Sequence, residues 1–369
     1  MLKPTRHPLP LVIVSALLAC AGALVLLASV GATGHALPSR LSDADFWALV
    51  TSSSEQDGYF RSDNLLSNEL GLQEVIPDLV ARTSGAGRVY MGVGPEQNFT
   101  YIAALQPRMA FIVDVRRGNL DLQLMYKALF ELSKDRADFV AGLFSRQRPP
   151  HLTKRSTAAE IFDAVAHAAT SDALYRANLK RIEDQLTKVH GFALKPADLQ
   201  GIEYVASAFH TFGPDIQYSS TGSFGGRYQP TYADLMTATD EAGKPRSYLA
   251  TEQNFDVLEK LESKNLIVPV VGNFAGPKAI RAVGSYIRGH GSLVSAFYLS
   301  NVEQYLYQQD LWSDFCRNVA TLPLDAHSTF IRSTRHGGYG RSYRRGFGLM
   351  SELGRMADEV RTCGPAGSD

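Results

Sequence analysis

A chain of 369 residues has room for one large domain or two modest ones, and 37 basic against 37 acidic side chains leave no global charge to draw it to nucleic acid. Its 45% hydrophobic and 10% aromatic content excludes a disordered chain, a collagen and a multi-span membrane protein, and little else.

The chain opens with Lys3, Arg6 and His7 before an apolar run from Leu9 to Ala32, long enough to span a bilayer. Flanking positive charge stays on the cytoplasmic side, which places residue 37 onward outside the cytoplasmic membrane, as a periplasmic domain. Residues 1–36 read either as a secretion signal, cleaved after the small residues of Gly34-His35-Ala36, or as a single retained anchor. Lipidation at Cys20 is disfavoured because apolar residues follow it. Cys316 and Cys363 remain in the body, joined as one disulfide or left as two thiols, and no cysteine–histidine spacing suggests a metal.

From Leu41 a helix starts, with Ser42 or Asp43 as cap and Phe46, Trp47 and Val50 on one side. Tyr59 to Val80 is polar at first and then helical. Arg88 to Asn119 is the most informative stretch. Val89 to Val93 is a short apolar strand, Gly92 and Gly94 bracket a sharp turn, and Gln97 to Leu105 makes about two and a half helical turns. Met109 to Val113 is a second buried strand ending at Asp114. Strand, glycine turn, helix, strand and acid form the first βαβ unit of a Rossmann-like fold, with the carboxylate roughly 20 residues past the glycines, where such folds hold a ribose.

Leu122, Met125, Leu129 and Leu132 recur at helical spacing, and Asp135 to Ser145 continues as another helix. Gln147 to Ser156 is a basic, breaker-rich loop. Thr157 to Phe212 is mostly helical, which makes about 147–212 a helical insertion in a Rossmann-like domain of residues 37–369. Gly213 to Gly226 is a long glycine- and serine-rich loop, read as a lid carrying Tyr218 or as a connector. From Asn254 strands and helices alternate again, with strands in LIVPVVGNF, SLVSAFYLSNV and Ser328 to Ser333, and a helix over Glu303 to Val319. Arg335 to Arg345 is basic and glycine-rich, suited to phosphate or lipid headgroups or simply to solvent. It opens a C-terminal segment, 335–369, that closes in a helix near Phe347 to Arg361. The fold class is α/β, a mostly parallel sheet covered on both faces.

The layout resembles class I S-adenosylmethionine-dependent methyltransferases. The phrases YFRSDNLLSNE, GVGPEQNFTYIAALQPRMAFIVDVRRGN, LMYKALFELS, VVGNFAGPKAIRAVG and FYLSNVEQYL are also similar to an uncharacterised bacterial family with that methyltransferase-like Rossmann fold, over roughly Leu41 to Thr334. The resemblance implies S-adenosylmethionine as small-molecule cofactor, with Gly92, Gly94 and Pro95 in the cofactor loop and Asp114 on the ribose. It also implies that Asn273, at the end of a fourth strand, faces the substrate. The departures are Met91 where methyltransferases carry an acid, and Pro95-Glu96-Gln97-Asn98 where they continue in glycines.

Each candidate has a structural alternative. The glycines suit any tight strand-to-helix turn. Asp114 could instead pair with Arg116 or Arg117, or cap the helix from Gly118. Asn64, in the polar stretch Ser62 to Glu69, either folds over the cofactor mouth or belongs to a helix cap. Asn301, Glu303 and Tyr305, after a fifth strand, face the acceptor or complement a helix dipole. Whether Phe99 and Tyr101 fill the pocket is open at this stage. GxSxG and P-loop motifs are absent from the sequence.

The expectation is methyl transfer to an unknown acceptor. The alternatives are a non-catalytic cell-envelope binding or scaffold protein that keeps the fold, and a different nucleotide or sugar-nucleotide ligand. The N-terminal segment makes the cytoplasmic membrane a partner. Nucleic acid and metal are not expected.

Overall fold

The computed structural model describes residues 36–83, 87–219, 229–334, 349–361 and 363. The apolar N-terminal run, the glycine-rich stretch after Ser219 and the basic segment 335–345 lie outside the described residues. Among the described residues no helix is long and apolar enough to cross a membrane.

Six strands form one sheet: β1 (Val89–Gly92), β2 (Met109–Asp114), β3 (Ile267–Val271), β4 (Val294–Ser300), β5 (Thr329–Thr334) and β6 (Met350–Arg355). Their order is β3-β2-β1-β4-β5-β6, parallel throughout except for β6, which runs antiparallel to β5. β1 to β3 are buried at every residue, the continuous apolar pattern of a sheet covered on both faces. Pro269 sits within β3 without disrupting the sheet because β3 is an edge strand, where a missing N–H is tolerated. The chain builds outward from β1 to β3 on one side and from β4 to β6 on the other, so the topological switch falls between β1 and β4. This is the Rossmann-like α/β arrangement expected from the sequence.

The helices are α1 (Asp43–Ser53), α2 (Ile76–Arg82), α3 (Gln97–Leu105), α4 (Arg117–Leu132) and α5 (Arg136–Leu143), then α6 (Ala158–Ala166), α7 (Asp172–Asp184), α8 (Pro196–Phe212), α9 (Tyr232–Thr237) and α10 (Glu252–Glu262). α11 (Ala279–Gly289), α12 (Val302–Gln308), α13 (Trp312–Val319) and α14 (Met356–Val360) complete the α-helices among the described residues. Ser42 caps α1 by accepting the Asp45 N–H, Asp135 caps α5, and a reciprocal Thr157–Glu160 box opens α6. The segment 147–212 carries α6, α7 and α8. Its basic loop is stitched down by buried Arg136, which pairs with Glu252 at 2.9 Å and donates to the carbonyls of Leu249 (2.7 Å) and Ser156 (2.7 Å). Phe99 packs edge-on against Tyr126, Phe130 and Tyr248 in the core.

Three expectations need correction. The helix expected near Phe347 to Arg361 is β6 followed by the short α14, because pairing with the open edge of β5 overrides the local helix preference of Met-Ser-Glu-Leu. The single helix expected over Glu303 to Val319 is two, α12 and α13, broken where Asp310 takes φ +57°. Between Tyr59 and Val80 only the end is α-helical, from Ile76. The open question of the cysteines is answered: Cys316 and Cys363, 47 residues apart, form a disulfide that ties α13 to the C-terminal segment.

Candidate functional site

A cavity of about 790 Å³ opens at the carboxyl ends of β1, β2 and β4, the place where doubly wound sheets hold ligands. The turn after β1 supplies Val93, Gly94 and Pro95, and the end of β2 supplies Asp114 and Arg116. Residues from the segment between α1 and α2, together with Tyr218, complete the wall.

The β1 turn is held by side-chain amides rather than by further glycines. Asn98 Nδ2 donates to the carbonyls of Val93 (2.9 Å), Gly94 (3.3 Å) and Pro95 (2.7 Å), while its Oδ1 accepts the Tyr90 hydroxyl at 2.9 Å. Gln97 adds a bond to Val93 O (3.2 Å), and Gln123, from α4, one to Gly94 O (3.0 Å). Gly94 takes φ +77°, a left-handed conformation that favours glycine. Gly92 has a different reason to be glycine: a Cβ there would stand 1.8 Å from Asn98 Oδ1. The Pro-Glu-Gln-Asn sequence in place of glycines therefore makes a rigid turn whose carbonyls are already satisfied.

Asp114 lines the cavity and also pairs with Arg116. Its Oδ1 accepts from the Arg116 backbone N–H (2.9 Å) and Nε (3.2 Å), and Oδ2 from Nη2 (3.2 Å). Arg116 in turn donates to the Asp63 carbonyl. Asp114 is thus a crevice-wall residue and the partner of Arg116 at once.

Glu96, next after Pro95, is fully buried and accepts the Ser67 N–H on both carboxylate oxygens (3.1 and 3.3 Å). Burial, with nearby Glu69 adding to it, pushes its pKa up to about 8. The Glu69 N–H donates to Ser67 Oγ at 3.1 Å, so Glu96 fixes the backbone that carries Glu69. Glu69 lines the cavity at 2% exposure, and its Oε1 accepts the hydroxyls of Tyr298 and Ser300, each at 2.6 Å. Ser333 lies near enough to favour its charged form, yet Oε2 has no partner in hydrogen-bonding geometry. Burial outweighs these hydroxyls and raises the Glu69 pKa. Gln97 Oε1 and Asn64 Oδ1, also in the wall, are likewise unpartnered. Asn64 (φ +46°) and Ser300 (φ +50°) both occupy the left-handed region, uncommon for residues other than glycine.

Among the sequence candidates, Gly94, Pro95, Asp114, Asn64, Asn273, Asn301 and Tyr305 share this one cavity. Gly92 stands behind the wall, packed against Asn98. Glu303 is outside it, paired with Arg332 of β5 instead, with Oε1 at 2.9 Å from Nη2. Asn273 follows the third strand, not a fourth, and its Oδ1 is engaged by the Ala275 N–H (2.9 Å). Asn301 to Tyr305 follow the fourth strand, not a fifth. Tyr305 meets Phe60 edge-on at 5.2 Å, and its hydroxyl accepts from Arg61 at 3.1 Å. Phe99 and Tyr101 are buried in the core and do not line the cavity. The amino terminus of α11 is filled from within: Glu55 Oε1 accepts the N–H groups of Lys278 and Ala279, each at 2.8 Å. Among the described residues no group of three or more His, Cys, Asp or Glu is placed to hold a metal.

The fold and crevice define a Rossmann-like α/β protein with a small-molecule-sized cavity at its switch point. The chain belongs to the family described as a domain of unknown function (DUF7790), whose model matches residues 65–350. No curated protein matches it.

Proposed function

We propose that the crevice binds S-adenosylmethionine and that the protein is a methyltransferase-like enzyme acting on an acceptor not yet identified. The observation that carries this reading is the shared placement of the Gly94 turn and Asp114 in one cavity at the β1–β4 switch. The donor chemistry of the wall fits a nucleoside cofactor. A carboxylate has about four acceptor positions, and the three bonds to Asp114 leave room on Oδ2 for a ribose hydroxyl. Gln97 Oε1 is a further acceptor, because its Nε2 is committed to Val93 O. The cofactor supplies the transferable methyl group when bound. The chain contributes position: the amide-capped turn keeps the wall fixed, and Arg116 holds the Asp114 carboxylate in one orientation.

A second reading, a cell-envelope binding protein without methyl transfer, is favoured by a specific observation. The Cys316–Cys363 disulfide suits an oxidising compartment, as the N-terminal apolar run does, whereas S-adenosylmethionine is a cytoplasmic metabolite. Under that reading the N-terminal segment carries the domain across the cytoplasmic membrane or anchors it there, and the crevice takes another ligand.

Calorimetric titration of the protein with S-adenosylmethionine and S-adenosylhomocysteine, with Asp114→Ala as control, separates the two. Micromolar binding that the variant loses supports the cofactor site. No heat and no thermal stabilisation at millimolar ligand removes it and leaves the binding-protein reading. A reporter fused to the C-terminus then places the domain on one side of the membrane.

A further inference from the structure

The cofactor reading leaves one side of the crevice without a role. We propose that Glu69 accepts the proton of a hydroxyl or amine on an aromatic ligand held there, so that the acceptor substrate is a small phenol or arylamine. This rests on the reading of the crevice as a small-molecule site.

The chemistry of Glu69 is the first support. A carboxyl at 2% exposure in a cavity wall, with one oxygen accepting two hydroxyls and the other near only the Ser333 hydroxyl, keeps acceptor capacity in hand. The titratable groups around it are Tyr90 of β1, Glu96, Tyr101 of α3 and Tyr298 of β4, none of them a cation. Ser300 of β4 and Ser333 of β5 add hydroxyls. With no cation to hold the charge, burial raises its pKa, which brings its protonation within reach of a ligand's proton. For a phenol the O–H bond breaks, the proton goes to Glu69, and the electron pair stays on oxygen as the nucleophile. For an arylamine the nitrogen lone pair attacks first, and Glu69 then takes the proton from the ammonium nitrogen that results.

The aromatic lining of the same cavity supports the ligand class. Tyr59, Phe60, Tyr218 and Tyr305 line the cavity with Leu306, and Phe60 and Tyr305 already meet edge to face, so a ring entering here adds to an existing aromatic set. Position is the third support. Glu96 pins Ser67 and Ser67 pins Glu69, while Ser300 holds a left-handed backbone where it meets the carboxyl. Left-handed residues other than glycine persist where surrounding contacts require them, and they concentrate at ligand sites.

The test uses para-nitrophenol, whose absorption reports where its proton lies, titrated into the full-length protein from about pH 5 to about pH 8. The expected result is a bound band displaced toward the phenolate, with a pH midpoint absent from the free probe. Glu69→Gln keeps an acceptor for Tyr298 and Ser300, and should weaken probe binding about tenfold and abolish the midpoint. Tyr298→Phe retains the carboxyl but removes a hydrogen bond to its charged form, and should move the midpoint upward. A purely structural role for Glu69 would not move it. No probe binding by the wild type, or the same spectrum and midpoint in Glu69→Gln, overturns the proposal. A probe response without heat from S-adenosylhomocysteine keeps Glu69 and removes the cofactor; heat without a probe response does the reverse.

Discussion

Two clusters of carboxylates in this protein are built on opposite terms. Where α1, α4 and the π-helical turn Gln185–Val189 come together, Lys127 donates to Glu131 Oε1 (2.8 Å) and to the Glu262 carbonyl (2.5 Å). His190, just after that turn, bridges Glu131 (2.6 Å) and Asp43 (2.7 Å) with its two ring nitrogens, and Asn265 also donates to Asp43 at 2.8 Å. Burial works against the charge on Glu131 and Asp43, but bonds from His190, Lys127 and Asn265 prevail and lower both pKa values. In the crevice, Glu69 and Glu96 are more deeply buried and meet only hydroxyls and backbone N–H groups, so their pKa values rise. Glu131 is compensated in the helical flank, whereas Glu69 and Glu96 in the crevice are not; Glu262, fully buried beside Lys127, is the flank's exception, pushed by burial up to about 8.

The largest effect should come from breaking the compensated cluster. Glu131→Ala leaves Lys127 buried without its carboxylate and should cost about 3–5 kcal/mol in urea unfolding. The pH dependence has a definite sign. The folded His190 pKa lies above 6.5, because its two carboxylates outweigh burial, so its contribution is full below pH 6.5 and is lost as pH rises through the folded value. Glu131 and Asp43 contribute above their ordinary values of 4.5 and 3.8 and lose that contribution as pH falls through their lowered ones. The cluster should therefore stabilise most between about pH 4.5 and about pH 6.5, and the cost of Glu131→Ala should shrink toward alkaline pH. A cost that does not change with pH would break the comparison.

The crevice is rigid for another reason, and Gly92→Ala tests it. The new Cβ would strike Asn98, whose amide holds three carbonyls of the turn, so a cost of about 1–3 kcal/mol is expected, together with loss of any ligand the turn contacts. Asp114→Asn, which leaves buried Arg116 an acceptor, should weaken ligand binding at a smaller cost in stability, since Arg116 also keeps its bond to Asp63. If Gly92→Ala unfolds as the wild type does, the amides are not what fixes the turn.

The sequence discloses the scaffold better than the site. β1 to β5 are visible because strands of a parallel sheet are continuous apolar runs, recognisable without knowing their neighbours. Gly94 and Asp114 are visible because the turn and its acid are close in sequence. β6 is not, since Met-Ser-Glu-Leu suits a helix and only the distant edge of β5 makes it a strand. Glu69 is visible as one polar residue among several, but its partners Tyr298 and Ser300 lie 229 and 231 residues away, and nothing local separates it from Asn68. Glu303 misleads for the converse reason: its place after β4 suggests the crevice, and its partner Arg332 can be known only once β4 and β5 are paired.

That correction is testable at a smaller scale. Glu303→Gln removes one of two carboxylates on Arg332 and leaves Glu359, so stability should fall by about 1 kcal/mol and no crevice ligand should bind differently. A change in ligand affinity would return Glu303 to the site.

The effect that is smallest at acid pH is the most discriminating, because it grows as the pH rises. Glu96→Gln replaces a buried acid whose folded pKa of about 8 lies far above the ordinary 4.5. The folded protein keeps that proton while the unfolded chain gives it up, so stability contributed by Glu96 is full below pH 4.5 and is lost as pH rises toward 8. Near pH 4.5 the variant should differ from the wild type by less than about 0.5 kcal/mol, because the glutamine amide can still accept the Ser67 N–H. Between there and pH 8 the wild type should lose stability more steeply than the variant, the opposite trend to the low-pH loss that Glu131 and Asp43 produce. Parallel stability curves for the two proteins over that range would mean that Glu96 is ionised in the fold. The crevice would then hold a compensated carboxylate like those of the helical flank, and the contrast between the two clusters would not stand.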